Sequence, residues 1–283
     1  MVVFKLYDRF KVNTSNAIVM NYLMAAIWSF SLDPSGLALH GASEHAWFFP
    51  AMIMGVMFIT LFNIIGISTQ KIGVSVTSVA NKMSLIMPVL FALVFLGDSI
   101  NAIKIIGIIT ALAAVFLTTR SENASNIDKR YAFFPLIVFI GSGFIDTFFK
   151  YNEVYTLGAN GMEPFLAWIF LTAFVLGLGV LTYNYIKTKN LPNGRAVIGG
   201  MVLGTINYFS VFFLMKSLAM KSMQSSVIFP VINMSIVALS ALAGVFFFKE
   251  KMSRINLIGV GLCLVAIACI AFSEEMLPFF GIE

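Results

Sequence analysis

The sequence predicts an all-α integral membrane protein made of two inverted five-helix repeats, and three observations carry that expectation. The first is composition. Of 283 residues, 59% are hydrophobic and 11% charged, whereas soluble domains carry roughly 25% charged residues; the mean hydropathy of +0.94 agrees. The second is a series of nine apolar runs, each long enough to cross a hydrocarbon core of ~30 Å as a helix. The third is an internal match between the two halves of the chain. A soluble enzyme, a disordered chain and a collagen-like fibre are excluded from the outset.

The apolar runs fall at 14–32, 46–67, 72–96, 101–119, 132–155, 162–186, 195–219, 222–248 and 254–272. Between them lie breaker or polar segments: Asp33-Pro34-Ser35-Gly36, Gly97-Asp98-Ser99, the stretch from Arg120 to Arg130, Gly158 to Gly161, Asn190 to Gly194, and Lys249-Glu250-Lys251. Several of these links are short, which makes consecutive helices antiparallel neighbours. At the N-terminus Lys5, Asp8, Arg9 and Lys11 interrupt any apolar stretch, so a cleavable signal peptide is not expected there.

A shift of 152 residues places Asn81 on Asn233, Phe95 on Phe247, Asp98 on Glu250, Ile106-Gly107 on Ile258-Gly259, Leu112 on Leu264 and Ala114 on Ala266. Apolar identities are cheap in a membrane protein, so the Asn pair and the acidic pair carry the match. Phe4-Lys5 also matches Phe149-Lys150 at a different register. Lys150 ends a long helix, whereas almost nothing precedes Lys5. The expected architecture is therefore ten helices, nine complete and the first largely missing: residues 1–120 form the first repeat and 131–273 the second. Five is odd, so the second repeat enters the membrane inverted. Inverted repeats of this kind characterise secondary transporters that rock around a site near the midplane.

The segment from Ser75 to Thr119, with Pro88, Asp98 at a helix end and Ile106-Gly107 in the next, resembles the EamA-like repeat of the drug/metabolite transporter superfamily. Ala219 to Ser273, with its "FFKE" before a Gly-containing last helix, resembles it too. Two departures stand out: the shortened opening helix, and Asp98 where the repeat usually has Glu. The resemblance implies a carrier of small metabolites such as amino acids, nucleotide precursors or sugar conjugates, often moved outward. It also implies a bacterial inner (plasma) membrane location and no cofactor.

Ionisable residues inside a span cost about 2.5–3.5 kcal/mol each at the membrane centre, so each calls for a function or a partner. Lys82 is the deepest, about 15 Å into its run at ~1.5 Å per residue, too far for its head group to reach either interface. It is read as lining a cavity and meeting solute or proton, or else as half of a structural pair. Asn81, its twin Asn233, and Asn63, Asn207 and Tyr208 are substrate-binding candidates, with interhelical hydrogen bonding as the alternative. Asp146 and Lys150, four apart, form either a self-neutralising pair or a proton-responsive relay. Lys216 is expected to snorkel. Asp98 and Glu250 are expected to fix helix ends by capping or by an ion pair with Lys251 or Arg254. Pro88 and Pro230 are expected to kink their helices.

Cys263 and Cys269 lie about 120° apart on one helix and read as packing residues. His40 and His45 have no companion ligands, so no metal site is expected, and no nucleotide-binding loop is present. The net charge of +5 reflects topology and gives no reason to expect nucleic acid. Thirteen Lys and Arg fall on one side: Lys5, Arg9, Lys11, Lys71, Arg120, Lys129, Arg130, Lys187, Lys189, Arg195, Lys249, Lys251 and Arg254. Four fall on the other: Lys104, Lys150, Lys216 and Lys221. The richer side is assigned to the cytoplasm, which puts the C-terminus outside. The expected partners are a small-molecule metabolite and the lipid bilayer, with a homodimer left open. A membrane-embedded enzyme or flippase acting on lipid or isoprenoid is the rival reading, but it lacks the usual cluster of Asp, His or Cys. A channel or scaffold lacks rings of charge.

Overall fold

The computed structural model describes residue 7 and residues 12–119, 133–158, 160–189, 193–220, 224–248 and 254–273. The described residues are all-α. The helices are α1 (Thr14–Ser31), α2 (Phe48–Lys71), α3 (Val74–Met83), α4 (Ile86–Phe95), α5 (Ala102–Thr119), α6 (Phe134–Tyr155), α7 (Met162–Thr188), α8 (Gly194–Leu218), α9 (Ser225–Phe248) and α10 (Arg254–Ala271), with a 3₁₀ turn at Ala42–Glu44. Among the described residues six spans are long and apolar enough to cross a membrane: Phe48–Lys71, Val76–Phe95, Phe134–Tyr155, Met162–Tyr183, Gly194–Leu218 and Arg254–Ala271. The chain is thus a multi-pass membrane protein. Each helix falls on one of the apolar runs, but the run 72–96 is divided between α3 and α4.

Proline explains both the starts and the break. Pro50, Pro135 and Pro164 sit in the first turns of α2, α6 and α7, where a missing N–H has no intrahelical acceptor to disappoint. Pro88 obeys the same rule by making a new first turn. It cannot donate to the carbonyl of Ser84, which takes the N–H of Met87 instead, at 3.0 Å, three residues on. The carbonyl of Lys82 likewise takes the N–H of Leu85, at 3.3 Å, and Ser84 Oγ donates to the carbonyl of Asn81, at 2.5 Å. The predicted kink is therefore a tightened turn: α3 ends one residue after Lys82, Ser84 (φ −59°, ψ −17°) and Leu85 (φ −52°, ψ −22°) stay right-handed helical, and the span runs on from Val76 to Phe95. Pro230 stays inside α9.

Cα packing divides the chain into two compact units that cut across the sequence repeats. The first comprises residues 1–69 and 148–220; the second comprises 70–147 and 221–283. Helix α6 contributes to both.

In the first unit α1 and α8 run parallel and nearly touch backbone to backbone. A β-carbon on Gly200 would lie 2.4 Å from the carbonyl oxygen of Ala17, and one on Gly204 2.3 Å from that of Asn21. This is a small-xxx-small seam, in which absent side chains let helices approach where no hydrophobic force drives them together. Further along, Trp28 Nε1 donates to Thr205 Oγ1, at 3.1 Å. Helices α1 and α7 are antiparallel, since Val19 meets Gly177 and Tyr22 meets Phe170. Gly55 of α2 presses on Ile169 and Thr172 of α7. An aromatic core of Tyr22, Phe58, Phe62, Phe149, Phe170 and Tyr208 fills the space.

In the second unit α5 and α10 are antiparallel. Gly107 lies against Ile270 and Cys269, and Asn256 Nδ2 donates to the carbonyl of Leu117, at 3.4 Å. Neither Cys263 nor Cys269 forms a disulfide among the described residues, and Cys263 is buried. Gly143 of α6 abuts Met87 of α4. Gly97, left-handed with φ +72°, stops α4 and turns the chain so that Asp98 Oδ2 accepts the N–H of Ser226, at 2.8 Å. Asp98 thus caps α9, one of its two expected structural roles; Glu250 and Lys251 lie outside the described residues. Lys104, only 1% exposed, secures the same junction through the carbonyl of Ser99 at 2.8 Å and Gln224 Oε1 at 2.6 Å.

Candidate functional site

The tightened turn between α3 and α4 leaves Asn81 and Lys82 in the last turn of α3. From there two polar rungs reach neighbouring helices of the same unit. Asn81 Nδ2 donates to Ser142 Oγ of α6, at 2.9 Å. Lys82 Nζ donates to Asn233 Oδ1 of α9, at 2.9 Å. The Asn233 amide is held in that sense because its Nδ2 donates to the carbonyl of Phe229, one turn back, at 3.1 Å. Four residues after Ser142, and so on the same face of α6, comes Asp146. Its charge acts on Lys82. Among the described residues, however, its carboxylate makes no hydrogen bond or ion pair, and both residues are half-buried.

The constellation has a symmetry of its own. Lys82 follows Asn81 and touches Asn233, the position that matches Asn81 at the 152-residue shift. The residue matching Lys82 at that shift is Met234, which is fully buried.

The remaining candidates lie in the first unit. Lys150 does not pair with Asp146 along the helix. Its ammonium is held by Glu153 and by the carbonyl of Leu218 at 3.0 Å, near the end of α8. The acidic residue three positions on and a helix terminus rich in unpaired carbonyls compete better than Asp146 one turn back. Asp146 is therefore associated with Lys82, and Lys150 with the end of α8. Asn63 turns its Nδ2 onto the carbonyl of Ile59 in its own helix, at 2.7 Å. Asn207 Nδ2 and the Tyr208 hydroxyl are buried without a hydrogen-bond partner among the described residues. Lys216 lies 4.6 Å from the Phe212 ring centroid, a cation–π contact.

Three features were not anticipated. Ser142 completes the rung to Asn81; its spacing of four from Asp146 was the available signal. Asn21 and Tyr22 of α1 are fully buried, with both amide atoms and the hydroxyl unpartnered. They repeat the Asn-Tyr dipeptide of 207–208, and both tyrosines lie on Phe170, with ring centroids 6.5 and 6.3 Å away. Lys104 and Lys150, sorted above by side, are consumed by internal bonds and carry little topological weight.

No protein-family model matches the sequence. The chain is 26% identical, over 98% of its length and 94% of the relative's, to an uncharacterized protein of Haemophilus influenzae. A protein known from its crystal structure shares the fold, with a TM-score of 0.72 at 14% identity, over 94% of this chain and 90% of that one.

Proposed function

We propose that the chain is a secondary transporter of the drug/metabolite type. It would carry a small polar or amphipathic metabolite of the amino-acid-like kind outward across a bacterial inner membrane by alternating access. It acts as a carrier, with no catalytic chemistry of its own. The single observation behind this reading is the Lys82–Asn233–Asp146 constellation. Lys82 sits in the middle of one apolar span, beside a tightened turn, and is held by Asn233 of another; Asp146 sits within a third, and both charged residues are half-exposed. Discontinuous helices bearing polar groups at mid-membrane are what carriers use to hold solutes, and charge kept there at such cost is charge that is used. The inverted-repeat reading is supported by the antiparallel packing of α5 on α10, whose residues match at the 152-residue shift: a two-fold axis in the membrane plane requires such partners to oppose one another.

The test is reconstitution. Proteoliposomes preloaded with a bacterial metabolite extract should release one solute class faster than protein-free vesicles, read by mass spectrometry of the external medium. Lys82→Met should lower that release at least tenfold while keeping the melting temperature of the parent. If no solute is released, and a fluorescent lipid changes leaflet instead, the carrier reading gives way to lipid handling.

A further inference from the structure

Lys104 is the most deeply buried charged side chain among the described residues, and its ammonium stands in an electrostatically poor place. It belongs to the first turn of α5, where side chains lean back towards the helix start, and it reaches the start of α9. Helix N-termini carry a partial positive charge, so a cation favours the opposite end of a helix. Here one ammonium meets two such termini. What holds it is a set of hydrogen bonds. Nζ donates to the Ser99 carbonyl at 2.8 Å and to Gln224 Oε1 at 2.6 Å, with Ser99 Oγ and Ser226 Oγ each 3.4 Å away. Ser99 Oγ also donates to Gln224 Oε1, at 3.1 Å, and Asp98 accepts the N–H of Ser226. The link from α4 to α5 is thus fastened to the start of α9 by polar bonds. Water can replace such bonds in kind at modest net cost, which it cannot do for the close packing of Gly107 on Ile270 between α5 and α10.

The matching positions of the other copy have no such fastening. At the 152-residue shift Lys104 falls on Asn256, and Gln224, Ser225 and Ser226 fall on Ile72, Gly73 and Val74, which carry no hydrogen-bonding side chain. Asn256 turns instead to the carbonyl of Leu117. We propose that the Lys104 junction is a latch on one end of the carrier, made while that end is shut and parted when it opens. This inference rests on the carrier reading above and names a contact that controls its movement. Three features suit a latch better than a fixed brace. The ammonium is set against two helix termini, so the closed arrangement is opposed from within. Its partners can be exchanged for water. The fastening exists in one copy alone, so the two ends open with different ease and the carrier rests shut at the Lys104 end.

The experiment joins cysteine reactivity to cross-linking, on the full chain in liposomes with Cys269→Ala in place. Ser225 is 4% exposed and Cys263 0%, so both thiols of a Ser225→Cys chain are shielded while the junction is closed. N-ethylmaleimide, followed by peptide mass spectrometry, should modify position 225 at least tenfold faster than Cys263. Equal protection of the two thiols overturns the latch. Lys104→Met should speed position 225 at least threefold further without speeding Cys263; no change there would show that the ammonium does not hold the junction. In a second chain Ser99→Cys and Gln224→Cys, whose native side chains touch, are joined by a short bis-maleimide. Joining them should lower solute release at least tenfold relative to the unlinked chain. Release that continues at the unlinked rate marks the junction as a fixed brace and overturns the latch while leaving the carrier. If the parent chain releases no solute, the carrier reading fails instead, and the reactivity ratio alone judges whether the junction opens. Neither the parent ratio nor the cross-link depends on how Lys104→Met folds.

Discussion

In the first unit buried polar side chains stand without partners. Both amide atoms of Asn21 and the hydroxyls of Tyr22, Ser29 and Tyr208 are enclosed, and none is hydrogen-bonded among the described residues. In the second unit Lys104 is enclosed just as fully, yet it finds several acceptors, and Lys82, Asn81, Ser142 and Asn233 bind one another. An unpartnered buried donor or acceptor costs about 1–3 kcal/mol, so the first unit tolerates a strain that the second avoids. What offsets it is close packing. The α1–α8 seam brings backbone against backbone, and a layer of aromatic rings surrounds it. The second unit tightens a helix in mid-span and ties the neighbouring turn to other helices with polar bonds. Burial alone thus says little about how a membrane helix is stabilised; the partner atoms decide.

This contrast can be broken at several points. The largest effect belongs to the seam. Gly204→Val places a branched side chain where the Asn21 carbonyl oxygen lies 2.3 Å from the β-carbon position. It should cost about 3 kcal/mol, read as a fall of about 10 °C in the melting temperature in detergent. Gly179→Val, with nothing within 4 Å, is the control and should be nearly silent. Equal tolerance of both would mean that close packing does not hold the first unit together. A smaller loss, about 1 kcal/mol, is expected for Asp98→Ala, which removes the α9 cap. Asp98→Asn should keep most of it, since an amide oxygen still accepts from Ser226. Were the two variants equally unstable, Asp98 would be acting through its charge. The smallest effect is that of Tyr208→Phe. Deleting an unpartnered hydroxyl should leave stability unchanged or raise it by up to about 1 kcal/mol. A loss of stability would mean that the hydroxyl has a partner after all. Unchanged stability with slower release from vesicles would mean that it meets the solute.

The spans were legible because hydrophobic length is a local property, and the nine apolar runs coincide with helices within a few residues. Pro88 signalled a disturbance, but whether a helix bends or stops depends on the hydrogen bonds of the freed carbonyls, which no spacing rule specifies. Lys82 stood out because charge in an apolar run is conspicuous from sequence alone. The partner of Lys150 was misread because the i,i+4 rule considers only its own helix, whereas the Leu218 carbonyl arrives from another. Asn21 and Tyr22 escaped notice for the opposite reason: a lone neutral pair in an apolar run looks like ordinary interhelical glue. The grouping of residues 1–69 with 148–220 was not readable either, because no local pattern records which helices of one repeat settle against those of the other.

The Lys82–Asn233 bond also has a consequence for biosynthesis. Its two ends are 151 residues apart in the chain, which at about 5–20 residues per second amounts to roughly eight to thirty seconds of translation. When the span containing α3 and α4 leaves the ribosome, the amide that will hold its ammonium has not yet been made. In that interval the span carries a charge near its centre that has no amide to hold it, which makes its independent insertion costly.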